Sequence, residues 1–229
     1  MAFADFSLES AVQRFELTLP PRADLFADVQ AVELPPILQA VLERWAPQAL
    51  EVNTDKARSE LIIAPILMDA MHPAGHDLGV YSGVSLDVDR ERGLFGRVDF
   101  LLGRRSGPFL LGSPLLTVVE AKNEDIPGSL GPCVAEMVAV RLLNERKGHP
   151  IAIVHGSVTT GAEWLFLQLE GNAVSFDLRE RFLDDAGRIL GYLAAIGRTG
   201  DDGRRFVAAF SRIECSPPSR TNRHPCRRR

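Results

Sequence analysis

Two runs of β-prone residues each carry charged side chains that could hold a metal ion. Asp99 lies within GRVDFLL, and Glu120 and Lys122 lie at the end of LLTVVEAK. Because side chains alternate between the two faces of a strand, Glu120 and Lys122 are predicted to point to one face and Ala121 to the other. An acid on one strand and an acid with a lysine on the next could therefore meet at one point.

The chemistry that these residue types indicate is metal-assisted hydrolysis of a phosphodiester. Two carboxylates supply the hard oxygen ligands that Mg²⁺ prefers, and Mn²⁺ accepts the same kind of ligand. A lysine beside them can orient or deprotonate a water, or stabilise the charge of a phosphoryl group. Together the three side chains predict a metal-dependent hydrolase site.

Length and composition indicate a cytoplasmic globular protein. The chain has 229 residues, of which 45% are hydrophobic, enough for one large domain or two small ones. No stretch is expected to be long and apolar enough to cross a membrane, and the N-terminus lacks the pattern of a signal peptide. We therefore expect no membrane partner. The three cysteines are odd in number and show no metal-ligand spacing, so we expect reduced thiols and a cytoplasmic location.

The net charge of −4 is unevenly distributed along the chain. The last ten residues, RTNRHPCRRR, hold five arginines and no acid, so without them 21 basic residues face 30 acidic ones. Such an acidic remainder is a poor electrostatic footprint for non-specific DNA binding, although a local basic cleft can coexist with it.

Periodicity predicts helices on either side of a group of strands. Ile37, Val41 and Trp45 recur every four residues and predict a helix from about Pro36 to Ala46. A second helix follows a capping residue at Asn53 or Thr54, and the sequence predicts that Pro65 kinks or bends it. Further helices are predicted in CVAEMVAVRLLNERKG, after a loop NEDIPGSLGP, and in RERFLDDAGRILGYLAAIG.

The strand pattern predicts two groups of three. YSGVSLDVD, GLFGRVDFLLG and PLLTVVEAK are expected to form an antiparallel meander, and PIAIVHGSV, AEWLFLQLE and AVSFDL to form three further strands. His155, in the fourth strand, is expected to be a hydrogen-bonded structural residue. The whole pattern predicts one α/β domain over residues 1–212, with a disordered, arginine-rich tail at 213–229.

The order of acidic residues along these elements resembles the restriction-endonuclease-like superfamily, the PD-(D/E)xK nucleases. Glu60 lies on a predicted helix, Asp99 and the Glu-x-Lys motif at Glu120 on strands, and Glu136 on the following helix. The phrases KARSELIIAPIL, YSGVSLDVD, GLFGRVDFLL, VVEAKN, AEMVAV and GSVTTGAEWLFLQLEG resemble a bacterial family in that superfamily that is common in cyanobacteria. The resemblance spans residues 8–197.

What the resemblance implies is a three-layer fold, with a central mixed β-sheet flanked by helices and a Mg²⁺ or Mn²⁺ site at one edge. Asp99 and Glu120 would bind the metal with the backbone carbonyl of Ala121. Lys122 would position the attacking water, and Glu60 would act with it as a catalytic helper. Glu136 would give further support. The resemblance implies no known substrate, and our first hypothesis is a phosphodiesterase that acts on DNA.

Each of these side chains also has a plain structural interpretation, which stays open at this point. Glu120 and Lys122 could form a plain surface ion pair, and Glu60 could be an exposed helix residue that pairs with Lys56, four positions earlier. Likewise, Asp99 could face solvent, and Glu136 could belong to a polar helix edge.

Alternative hypotheses about the function also stay open. Gly131-Pro132-Cys133 stands where the resemblance leads us to expect Gly-Gln-Cys, and the missing glutamine puts a nucleic-acid contact in doubt. The alternative to a nuclease is therefore a catalytically inactive binding or scaffold protein on the same fold. A homodimer is a third hypothesis, since two strands must be cut, but the sequence shows no interface.

Overall fold

The fold is taken from a computed structural model, which describes residues 1–72, 77–122 and 125–199. The turn predicted after the last helix and the disordered tail predicted at 213–229 lie outside these residues. The described part of the chain is mixed α/β, as the sequence predicts, and is built around one open sheet.

The strands are ordered β1-β2-β3-β4-β5-β6 across the sheet, and β7 pairs with β5. β1, β2 and β3 form the predicted antiparallel meander, whereas β3 and β4 run parallel. The parallel pair requires a crossover, which the helix between these strands supplies. The strands are β1 (Leu78–Asp89), β2 (Leu94–Arg104), β3 (Leu115–Ala121), β4 (Ile153–Thr159), β5 (Glu163–Glu170), β6 (Ala173–Phe176) and β7 (Arg181–Phe182).

Helices cover both faces of the sheet and enclose two hydrophobic cores. One core contains Val118 of β3 and lies under the first helix and the crossover helix, while the other contains Val119 and lies under the remaining helices. Consecutive residues of β3 thus pack into the cores on opposite faces of the sheet, as expected for a strand buried on both faces. The helices are α1 (Leu8–Phe15), α2 (Pro36–Val52), α3 (Asp55–Arg58), α4 (Ala64–Met71), α5 (Ile126–Arg146) and α6 (Ala186–Thr199).

Helix α2 is present, but it buries a different stripe from the one that the repeat of Ile37 and Trp45 suggested. The buried residues of the helix are Leu38, Leu42, Ala46 and Ala49. Ile37 is 77% exposed and Trp45 38% exposed, so both lie toward solvent. Two apolar stripes alternate on this helix, and periodicity alone could not choose between them.

A π-helical turn, Ser59–Ile63, joins α3 to α4 within one continuous helical segment. Pro65 lies near the start of α4, where its missing N–H removes a hydrogen bond from the preceding turn. The irregularity that the sequence predicts around Pro65 therefore takes the form of a widened turn, a feature that is frequent at functional sites.

Helix α5 begins at Ile126, earlier than predicted, so the expectation of a loop in IPGSLGP was wrong. Asp125 caps the helix, since its carboxylate accepts a hydrogen bond from the N–H of Gly128, and a proline follows in the first turn. Pro132 lies within the helix without ending it.

Helix α5 is also long and apolar enough to span a membrane by length and composition, contrary to the expectation from the sequence. However, 67% of its apolar stretch is buried inside the fold, which is the pattern of the core helix of a soluble protein. The apolar character of α5 is thus explained by its place between the sheet and α1.

The last helix starts later than predicted. Arg181–Phe182 form the short strand β7 and Leu183–Asp185 a 3₁₀ turn, so α6 begins only at Ala186. The predicted helix included these residues, but Arg181 and Phe182 pair with Trp164 and Glu163 of β5 and so belong to the sheet.

Candidate functional site

The strands β2 and β3 part at the position of Asp99. Their ladder ends at the pair Phe100 and Val119, and beyond it the N–H of Ala121 donates to Oδ2 of Asp99 at 2.9 Å. A carboxylate thus takes the place of a backbone acceptor. Because the N–H and C=O of a strand residue point to the same side, the Ala121 carbonyl also lies at this opening. The three predicted components Asp99, Glu120 and Ala121 therefore meet where the sheet splits.

Glu120 and Lys122 lie on the same face of β3, as the alternation predicts. Nζ of Lys122 is 3.0 Å from Oε1 of Glu120. Ala121, between them, packs into the opposite core. Glu120 is only 5% exposed, so this is not the plain surface ion pair that the sequence left open as an alternative.

Burial and the attraction between the two charges together set the pKa values of this pair. Burial raises the pKa of Glu120, the nearby Asp99 carboxylate raises it further, and Lys122 opposes both effects. Burial lowers the pKa of Lys122, but the charge and hydrogen bond of Glu120 outweigh this, so the net change in the Lys122 pKa is upward. Lys122 therefore remains a cation in this arrangement, suited to holding an anionic oxygen.

Glu136 lies on α5 beneath the same opening. It is 1% exposed, and its Oε2 atom has no hydrogen-bond partner within the described residues. Burial holds the pKa of Glu136 well above its usual range, and the charges of Glu120 and Asp99 raise it further. The polar helix edge considered from the sequence is therefore excluded for Glu136.

Glu60 is placed apart from these groups. Its side chain is 60% exposed and its carboxylate lies 2.7 Å from Nζ of Lys56, in the i,i+4 ion pair that the sequence left open. In the described part of the chain it forms no hydrogen bond or ion pair with Asp99, Glu120 or Lys122. A catalytic role for Glu60 stays a prediction that these contacts do not support.

Asp55, at the start of α3, is an acid that the sequence reasoning did not assign to the site. Its charge raises the pKa of both Glu120 and Lys122, so it lies close enough to act on them. The only signal in the sequence was its place after the Thr54 cap, which by itself indicates a helix start.

Arg58 is the second residue that the sequence reasoning missed. Its guanidinium donates to Oδ1 of Asn53 at 2.8 and 3.1 Å and to the carbonyl of Thr160 at 2.7 Å. Thr160 follows β4, next to the end of β3. Arg58 thus fixes the start of α3, with Asp55, at the carboxyl ends of the two parallel strands.

The charges of the site are unbalanced toward the negative. The charges of Asp99 and Asp55 raise the pKa of Glu120, and those of Glu120 and Asp99 raise the pKa of Glu136, whereas Lys122 is the one cation among the groups that shift these two pKa values. An excess of carboxylate oxygens, one of them buried and unpartnered, is a donor set that fits a hard divalent cation.

No group of three or more His, Cys, Asp or Glu side chains in the described ranges is arranged to hold a metal ion. The proposed ligands, two carboxylates and one backbone carbonyl, are fewer than three such side chains. It is nevertheless compatible with Mg²⁺, which usually keeps several waters and takes one or two protein carboxylates.

The missing glutamine has a structural counterpart in Pro132. The proline is buried in α5, and a side chain on its neighbour Gly131 would collide with the backbone of Phe6 and Ser7. This part of α5 is therefore packed against the N-terminal segment and presents no polar side chain from Pro132.

Comparison with the profiles of protein families and with curated protein sequences finds no significant match to this chain.

Proposed function

We propose that this protein is a Mg²⁺-dependent nuclease with a restriction-endonuclease-like fold that hydrolyses phosphodiester bonds of DNA in the cytoplasm. The observation that carries the proposal is the convergence of Asp99, Glu120 and Lys122 at the split between β2 and β3. A mixed sheet with helices on both faces and a parallel β3–β4 crossover supports the fold assignment.

Asp99, Glu120 and the carbonyl of Ala121 would hold the cation. Asp99 is suited to this because the N–H of Ala121 occupies only one of its two oxygens among the described contacts. A bound Mg²⁺ would polarise the phosphodiester and lower the pKa of a water.

Lys122 performs the positioning step. Its ammonium, fixed 3.0 Å from Glu120, carries two further N–H donors that can orient a water and hold the developing negative charge on phosphate oxygen. Because the Lys122 side chain is only 37% exposed and is paired with Glu120, its charge is preorganised and requires little rearrangement during the reaction.

The direct test is cleavage of supercoiled, linear duplex and single-stranded DNA with Mg²⁺ or Mn²⁺, against the same reactions in EDTA. Asp99→Ala is expected to abolish cation-dependent cleavage. Asp87→Asn is the matched control, since Asp87 lies on the edge strand β1 in an ion pair with Arg90 and should leave cleavage unchanged. Equal cleavage by wild type and Asp99→Ala would refute the assignment.

A catalytically inactive binding or scaffold protein is the second candidate. It is favoured by the buried Pro132 in place of a polar residue and by the lack of a three-ligand acid cluster among the described residues. A thermal-shift titration separates the two, because a scaffold should show no Mg²⁺- or Mn²⁺-induced rise in the unfolding midpoint.

Double-strand cleavage would need two such sites, so we also propose a homodimer as the cleaving species. Sedimentation of the full chain with and without duplex DNA tests this independently. A monomer under both conditions would limit the activity to single-strand cleavage or nicking.

A further inference from the structure

Glu136 is a buried acid for which the described part of the fold supplies no hydrogen-bond partner at Oε2. It sits in the middle of α5, where its sequence neighbours Ala135 and Met137 are wholly buried in the core under that helix. Its Oε2 atom has no donor within the described part of the chain. Burying a carboxylate without a partner costs free energy, so such a group in a native core requires an explanation.

The surroundings of Glu136 make the cost larger rather than smaller. The charged groups that act on it are Glu120 and Asp99, which repel a carboxylate, and Lys122, which already pairs with Glu120. A glutamine or leucine of similar volume would fill the same space at lower cost. We therefore look for the reason for an acid at this position in a ligand that the protein binds.

The position of Glu136 points to the cation site. Glu120 lies two residues after Val118 and shares its face of β3, and Val118 belongs to the core that α5 covers, so Glu120 faces the helix that carries Glu136. The charges of Asp99 and Glu120, the two carboxylates proposed above as ligands, both act on Glu136. A cation held by those two would therefore have a third acid on the side of α5.

We propose that Glu136 is a positioning residue that strengthens binding of a divalent cation by Asp99 and Glu120, at the expense of the stability of the cation-free protein. The proposal rests on the proposed function, since it takes the same cation site. Glu136 would act through the cation's bound water or through its charge, whereas Asp99 and Glu120 would contact the ion.

The experiment compares the full chain with Glu136→Gln and Glu136→Leu, with Glu145→Gln as a matched control on the exposed end of the same helix. The unfolding midpoint is measured in EDTA, and Mn²⁺ binding by calorimetry and by electron paramagnetic resonance of the free ion. Neither readout depends on cleavage.

Both Glu136 variants are expected to raise the midpoint in EDTA by roughly 3–6 °C, since they remove an unpaired buried acid. Both should also weaken Mn²⁺ binding by about 10-fold or more, the size of effect that groups behind a metal's direct ligands produce. Glu145→Gln should change neither quantity.

A purely structural Glu136 would give the opposite first result, with lower midpoints in EDTA for both variants, and this would overturn the proposal. Unchanged Mn²⁺ affinity in the variants would overturn it as well while leaving the proposed function intact. Absence of Mn²⁺ binding by the wild type, read before any variant is made, would instead reject the cation site and with it both proposals.

Discussion

Nζ of Lys122 lies 3.0 Å from Oε1 of Glu120, and the acid of this pair is almost fully buried while the lysine is 37% exposed. The two partners therefore depend on each other unequally. Lys122 can be solvated without Glu120, but Glu120 without Lys122 is a carboxylate in a low-dielectric environment beside another acid.

Removal of the Lys122 charge is expected to lower the free energy of unfolding more than removal of the Glu120 charge. Lys122→Met should lower the free energy of unfolding by about 1–2 kcal/mol, reduced from the value for a buried pair because water screens the exposed lysine tip. The double variant Lys122→Met/Glu120→Gln should recover most of the loss in urea denaturation. The exposed pair of Lys56 and Glu60 is the control, where Lys56→Met should cost less than about 0.5 kcal/mol. Equal effects at the two lysines would show that the buried Glu120 depends on its lysine no more than the exposed Glu60 does.

The same pair shows what the sequence could predict. Strand alternation was enough to place Glu120 and Lys122 on one face, because period 2 is fixed by strand geometry. Their burial was not predictable in the same way. It depends on α5 covering that face, and the sequence pattern of α5 did not show that the helix begins as early as Ile126.

Helical periodicity was a weaker guide than strand alternation. On α2 the repeat of Ile37 and Trp45 predicted a helix to about Ala46, whereas the helix runs to Val52 and buries a second repeat through Leu38 and Leu42. The role of Arg58 could not be predicted from the sequence for a different reason. Its partner Thr160 lies 102 positions away, and only the folded chain brings the two together.

His155 predicts a pH dependence of folding stability. The sequence suggested a hydrogen-bonded histidine, but Nδ1 of His155 has no partner among the described residues, so that expectation was wrong for this atom. Burial lowers the pKa of His155 to about 4, from 6.5 when unperturbed. Above pH 6.5 the ring is neutral in both states. As the pH falls below 6.5, His155 is protonated in the unfolded chain but stays neutral in the folded chain. The free energy of unfolding therefore decreases with falling pH until about pH 4, where the folded chain also binds the proton.

The expected size of this loss is about 2 kcal/mol between pH 7 and pH 5. His155→Gln should not show it, so the stability difference between wild type and variant should change by that amount over the interval. Urea denaturation at the two pH values measures this difference, in which the other titrating groups cancel. His149→Gln, at an exposed position, is the control and should keep the wild-type pH dependence. A constant difference between wild type and His155→Gln would show that His155 binds its proton equally well in the folded and unfolded chain, so that burial does not lower its pKa.

Asn144 is expected to be the most sensitive polar residue of α5. Its Oδ1 accepts from the N–H of Leu115 at 2.9 Å and its Nδ2 donates to the Leu115 carbonyl at 2.7 Å, in a fully buried position at the start of β3. Asn144→Leu would leave both backbone groups buried and unpaired, which should cost about 2–4 kcal/mol of unfolding free energy. Glu145→Leu, at the next and exposed position, should stay within about 0.5 kcal/mol. Similar midpoints in urea for the two variants would mean that β3 finds other partners.

Arg58 should control the local stability of the helix start that carries Asp55. Lysine has a single ammonium in place of the planar fork, so Arg58→Lys cannot reach Asn53 and Thr160 together. We expect amide hydrogen exchange in Asp55–Arg58 to become on the order of 10-fold faster, with little change in the global unfolding free energy, because the loss is confined to one short segment. Arg44→Lys, at an exposed position of α2, should leave the exchange of both helices unchanged. Unchanged exchange in Arg58→Lys would mean that the Thr54 cap alone holds the start of α3 against the sheet.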